Sequence, residues 1–137
     1  MKILISTIVS AIVLFLLGWL TYGVIFAKYV KDFVGMRPPD DIRMWAITVG
    51  TILQSFFLSW IYTKVYKGES PIKEGFLFGF LISLLIYVPY IFFYWGSYAL
   101  TYKLVIADAV LMGIRVTIAS IIIALIIGPK NKTTENT

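Results

Sequence analysis

Neither cysteine nor histidine occurs among the 137 residues. The first absence excludes disulfides, thiolate metal sites, iron–sulfur clusters and cysteine nucleophiles; the second removes the haem ligand and the commonest metal ligand. Charge is also scarce, at 14% of the residues. A soluble domain of this size needs far more charge to cover its surface. The spans hold no paired aspartates, no Ser–His arrangement, no metal cluster and no aspartate-rich head-group-transferase motif, so neither an enzyme nor a metal or cofactor site is expected.

What is present is apolar: 60% hydrophobic residues and a mean hydropathy of +0.90. Four runs reach the roughly 20 residues that cross a hydrocarbon core at about 1.5 Å each. They cover about 3–26, 44–66, 74–95 and 104–128. The composition therefore predicts an all-α polytopic membrane protein, with residues 1–128 as one four-transmembrane-helix bundle and residues 129–137 as a polar tail. The first run is too long for a signal-peptide core and lacks a small-x-small cleavage site, so it reads as a retained anchor. The net charge of +5 lies beside the apolar runs and forms no patch of its own, which points to anionic lipid and away from nucleic acid.

After the first span, Phe26, Tyr29, Val30, Phe33 and Val34 recur at helical spacing, with Lys28, Lys31 and Asp32 opposite them. This pattern predicts a short interfacial amphipathic helix. Gly35 can end it, Pro38 and Pro39 forbid its continuation, and Asp40 or Asp41 can cap the second span. Lys67 to Pro71 and Gly96 to Lys103 read as short turns. Asn131–Lys132–Thr133 matches a glycosylation sequon by chance in a tail expected to be cytoplasmic.

With the N-terminus inside, the inner side holds Lys2, Lys64, Lys67, Lys73, Lys130 and Lys132, against Lys28, Lys31, Arg37, Arg43 and Lys103 outside. The small excess sets both termini in the cytoplasm of a cell membrane. Trp19, Trp45 and Trp95 mark the opposite interface.

On the third span Gly75, Gly79 and Ser83 repeat at every fourth position, and Tyr87, Tyr90 and Tyr94 continue the stripe past Pro89. Gly113, Thr117, Ser120, Ala124 and Gly128 form a seam on the fourth span, and Thr48, Thr51, Ser55 and Ser59 on the second. Small residues let helix backbones approach in lipid, so packing accounts for all three. Thr48–Val49–Gly50–Thr51 lies inside a regular span and lacks the tyrosine of a potassium filter.

Two charges fall well within the spans, Asp108 and Arg115. Each costs about 2.5–3.5 kcal/mol on insertion scales and must be compensated. Seven residues apart, they share a helix face, about 20° around it and about 10 Å along it. Depth arithmetic sets Gln54 and Ser55 level with Arg115, Tyr87 about 4 Å away, and Asp108 about 12 Å towards the outer side, near Tyr22, Thr48 and Tyr90 or Tyr94. The expected binding set is a polar column of Asp108, Arg115, Gln54, Tyr87 and Tyr90, with Gln54 and Tyr87 nearest Arg115. The permanently charged, bidentate Arg115 suits an anion or a lipid head group.

The string Gly18–Trp19–Leu20–Thr21–Tyr22–Gly23–Val24–Ile25–Phe26, followed by a lysine-bearing aromatic segment, resembles a family of small four-helix bacterial inner-membrane proteins of unknown function. The resemblance implies a fold and no site residues. Two functions compete. One is a structural or regulatory membrane subunit that self-associates or binds a larger partner. The other is a small oligomeric transporter or channel built on the polar column; the first span carries no acid, so neither the small multidrug exporters nor the fluoride channels are resembled.

Overall fold

The computed structural model describes residues 1–29, 32–33 and 35–129. The chain is all-helical: α1 (Lys2–Leu20), α2 (Met44–Val65), α3 (Pro71–Ser97) and α4 (Tyr102–Ile127). All four are long and apolar enough to cross a membrane. α1 is prolonged by a π-helical turn, Thr21–Ile25. The Lys2 ammonium donates to the Ile127 carbonyl at 2.9 Å, which sets the start of α1 beside the end of α4. Lysine there satisfies a carbonyl left without a helical donor.

α4 is the central helix, packed on α1, α2 and α3. Its closest approach is to α3. A Cβ added to Gly79 would stand 2.6 Å from the Thr117 Cα, and one on Gly75 would stand 2.7 Å from the Ile121 Cα. The Ser83 hydroxyl donates across the same seam to the Gly113 carbonyl at 3.1 Å, while Thr117 bonds the Gly113 carbonyl from its own helix. Glycine is required here by distance: any side chain would separate two backbones.

α3 reaches α2 through large side chains. Tyr62 packs edge-on against Phe78 and hydrogen-bonds Glu74. The Glu74 carboxylate also accepts the backbone N–H groups of Lys67, Gly68 and Glu69, which ties the α2–α3 turn to the first turn of α3. Sequence reading attached no role to this acid.

The seam expected along α2 divides halfway. Ser55 and Ser59 are fully buried, and Ser59 accepts a hydrogen bond from Ser6 of α1 at 3.0 Å. Thr48 is exposed and returns its hydroxyl to the Met44 carbonyl of its own helix. Every residue from Met44 to Gly50 is exposed.

The amphipathic helix expected after α1 is not formed by the described residues, and Val30, Lys31 and Val34 lie outside them. Successive turns run there, with the Tyr29 N–H donating to the Phe26 carbonyl and the Asp32 N–H to the Tyr29 carbonyl. The reason is aromatic packing: Phe26 is buried, and Phe26 and Phe33 meet edge-to-face at 5.7 Å while both rings contact Tyr22. Folding these rings back onto the end of α1 is incompatible with a straight helix leaving it. Gly35 takes a left-handed φ of +80°. Asp40 and Asp41 form a 3-10 turn with Pro39, and Asp41 pairs with Arg37 at 2.6 Å, so neither side chain caps α2. The tail from residue 130 onwards and its sequon lie outside the described residues.

Candidate functional site

The interior polar groups gather around α4. Asp108, in its second turn, is 2% exposed. Its Oδ1 accepts the Tyr22 hydroxyl at 2.8 Å and its Oδ2 the Tyr90 hydroxyl at 2.9 Å. One carboxylate thus ties α1 and α3 to α4. Both bonds lie beside a carboxyl that is almost wholly shielded from the surface.

The donors are delivered by two local irregularities. Tyr22 belongs to the π-turn of α1, where the Phe26 N–H reaches back to the Thr21 carbonyl and the extra residue rotates the following side chains relative to a regular helix. Tyr90 follows Pro89, whose missing N–H frees a backbone carbonyl inside α3. Tyr90, Tyr94 and Tyr98 stack in sequence, with ring centroids 4.4 and 4.8 Å apart. Tyr87 meets Tyr90 edge-on at 6.4 Å. An aromatic ladder therefore runs along α3 from mid-span to the third loop.

Arg115 lies two turns deeper, at the middle of α4. Its Nη2 donates to the Leu14 carbonyl of α1 at 3.3 Å. The guanidinium passes over Gly18, where a Cβ would stand 2.8 Å from Nη2. Its Nε is buried and has no hydrogen-bond partner among the described residues. Arg37–Asp41 is the one salt bridge among those residues, so Asp108 and Arg115 share a face without pairing. Gln54 and Tyr87 are hydrogen-bonded to one another, with Tyr87 in electrostatic range of both Arg115 and Asp108. The hydrogen-bond partner found for Arg115 is thus a backbone carbonyl, and Gln54 and Tyr87 were expected as its nearest side chains.

Comparison with models of known families, with characterised proteins and with solved structures returns no match. The site is read from its own geometry. Asp108, Tyr90, Tyr87, Gln54 and Arg115 come from three different helices and converge on the bundle interior, whereas Gly75, Gly79, Ser83, Gly113 and Thr117 line the α3–α4 contact. Tyr22 and Gly18 complete the interior site. Both belong to the first-helix string; depth along the spans already set Tyr22 beside Asp108, whereas nothing there announces Gly18 as the berth of an arginine. No cluster of three acidic residues able to hold a metal occurs among the described residues.

Proposed function

We propose that the chain is a non-enzymatic, multi-pass subunit of a cell membrane, with both termini in the cytoplasm, and that it works by helix association with a second copy of itself. The uncovered first third of α2 carries this reading. From Met44 to Gly50 that helix has only exposed residues, and Gly50 has no atom from elsewhere in the chain within 4 Å of a built Cβ. Beside it, Thr7, Ala11, Phe15, Thr48, Thr51 and Ile52 help to line a groove of about 370 Å³ between α1 and α2. Thr48 and Thr51 spend their hydroxyls on their own backbone and leave a smooth, small-residue face. A groove bordered by small side chains suits a two-fold contact, in which each copy presents the same face to the other.

The test is cross-linking and mass measurement in lipid nanodiscs. The wild type is expected to be dimeric, and Thr48→Trp, which fills the mouth of the groove from an exposed position, to shift it towards monomer without loss of thermal stability. A wild type that stays monomeric at all protein-to-lipid ratios would overturn the reading.

A second reading, a small oligomeric transporter or channel, draws support from the buried Asp108 and the half-buried Arg115, two charged residues within one apolar helix that do not pair by contact. It requires Arg115→Lys to fold and yet lose solute flux in proteoliposomes. Equal flux in wild type and variant would remove it.

A further inference from the structure

The segment between α1 and α2 is built from parts that hold their shape. Phe33 is fixed edge-on by Phe26 and Tyr22, with ring centroids 5.7 and 6.3 Å away. The Met36 N–H closes a turn onto the Phe33 carbonyl around the left-handed Gly35, and the Asp41 N–H closes another onto the Pro38 carbonyl. Between these turns and the end of α1 lies a cavity of about 670 Å³. Its lining is apolar at Phe33, Met36, Pro38 and Pro39 and cationic at Lys28 and Arg37, and no acid lines it among the described residues. Arg37 gives Asp41 one of its five N–H donors, at 2.6 Å, and the described residues take none of the other four. Lys28 has no ion pair with a described residue. The Arg37–Asp41 pair is neutral, so Lys28 leaves the cavity a surplus of one positive charge.

We propose that this cavity binds the phosphate of one anionic phospholipid, with Lys28 and Arg37 on the phosphate oxygens and the glycerol end of the lipid against Phe33, Met36 and the two prolines. Depth agrees with this ligand. The apolar helix Lys2–Ile25 has 24 residues; at 1.5 Å each it is about 36 Å long, enough to cross a core of about 30 Å and enter the layer that holds the phosphates. Lys28 follows just beyond it. Charge and wall chemistry choose among phosphates: a choline head group would bring a second cation to the unpaired Lys28, and free phosphate has nothing to set against the apolar wall. The cavity shares no lining residue with the groove between α1 and α2, so this site and the dimer contact can fail separately.

The experiment is native mass spectrometry of the full chain in non-ionic detergent, titrated separately with phosphatidylglycerol, with phosphatidylcholine of the same chains and with inorganic phosphate. The expected result is saturable retention of one phosphatidylglycerol per chain, about tenfold tighter than phosphatidylcholine, with inorganic phosphate not retained at the same concentration. Lys28→Gln combined with Arg37→Gln should weaken retention about tenfold. Lys67→Gln combined with Lys73→Gln removes the same charge around the α2–α3 turn from two exposed positions and should leave it unchanged. Equal losses in the two double variants, or no preference for the anionic lipid, would overturn the proposal, because overall charge then accounts for the binding. Inorganic phosphate retained as tightly as the lipid would also overturn it, by making the cavity a site for a free anion. Should the Lys28 and Arg37 double variant fail to fold, Lys28→Ala alone decides: its side chain is exposed and forms no ion pair with a described residue, so weakened retention supports the site and unchanged retention defeats it.

Discussion

Gly18 and Arg115 are fitted to one another across the α1–α4 contact: a Cβ on Gly18 would stand 2.8 Å from the Arg115 Nη2. The glycine thus serves to pass a charged side chain over a helix, and no turn or positive φ is involved. Gly18→Val should displace the guanidinium, break its bond to the Leu14 carbonyl and cost about 1–3 kcal/mol. Thermal unfolding of Gly18→Val alone and combined with Arg115→Leu checks this. The second substitution should remove most of the penalty of the first.

Gly79 presents the opposite case, because the obstacle is backbone. Gly79→Ile should cost about 3 kcal/mol or more, since the Thr117 Cα cannot move aside as a side chain can. Gly50→Ile is the control and should cost little, as Gly50 faces open space. Equal losses in the two variants would mean that α3 and α4 do not meet at Gly79.

Tyr22→Phe and Tyr90→Phe each remove one donor from the buried carboxylate. Each should lower stability by about 1 kcal/mol, the scale of interhelical hydrogen bonds in lipid. The double variant should lose more than the sum, because the buried Asp108 side chain is then left without any donor. A double-mutant cycle on chemical unfolding measures the coupling, and strict additivity would show that the two phenols do not share the carboxylate.

Glu74→Ala should loosen the α2–α3 turn, where three backbone N–H groups lose their acceptor. The expected cost is about 1 kcal/mol, since water can replace part of what is lost at this exposed turn. Hydrogen exchange at Lys67, Gly68 and Glu69 should accelerate, with α4 unaffected. Unchanged exchange at those three amides would show that the carboxylate does not hold them.

Hydropathy and small-residue spacing in the sequence determined that the chain forms four apolar helices of membrane-spanning length, because a span needs only length and low polarity and both are local. The same spacing marks Gly75, Gly79 and Ser83 as one stripe, since every fourth residue returns to one helix face. Tertiary structure alone decided where those faces point. The Thr48–Ser59 stripe of α2 is buried at Ser55 and Ser59 and bare at Thr48, a division set by where the neighbouring helices reach it. Phe26 and Phe33 read as one face of an amphipathic helix, but their rings close onto Tyr22 and onto each other. The site itself was half legible. Asp108 and Arg115 stand out as charges in apolar runs, and depth set Tyr22 and Tyr90 beside Asp108, whereas the π-turn that carries Tyr22 and the backbone carbonyl that Arg115 meets were not foreseen from the spacing. A π-turn arises from packing around it, and a carbonyl is present at every position, so neither leaves a mark in the order of side chains.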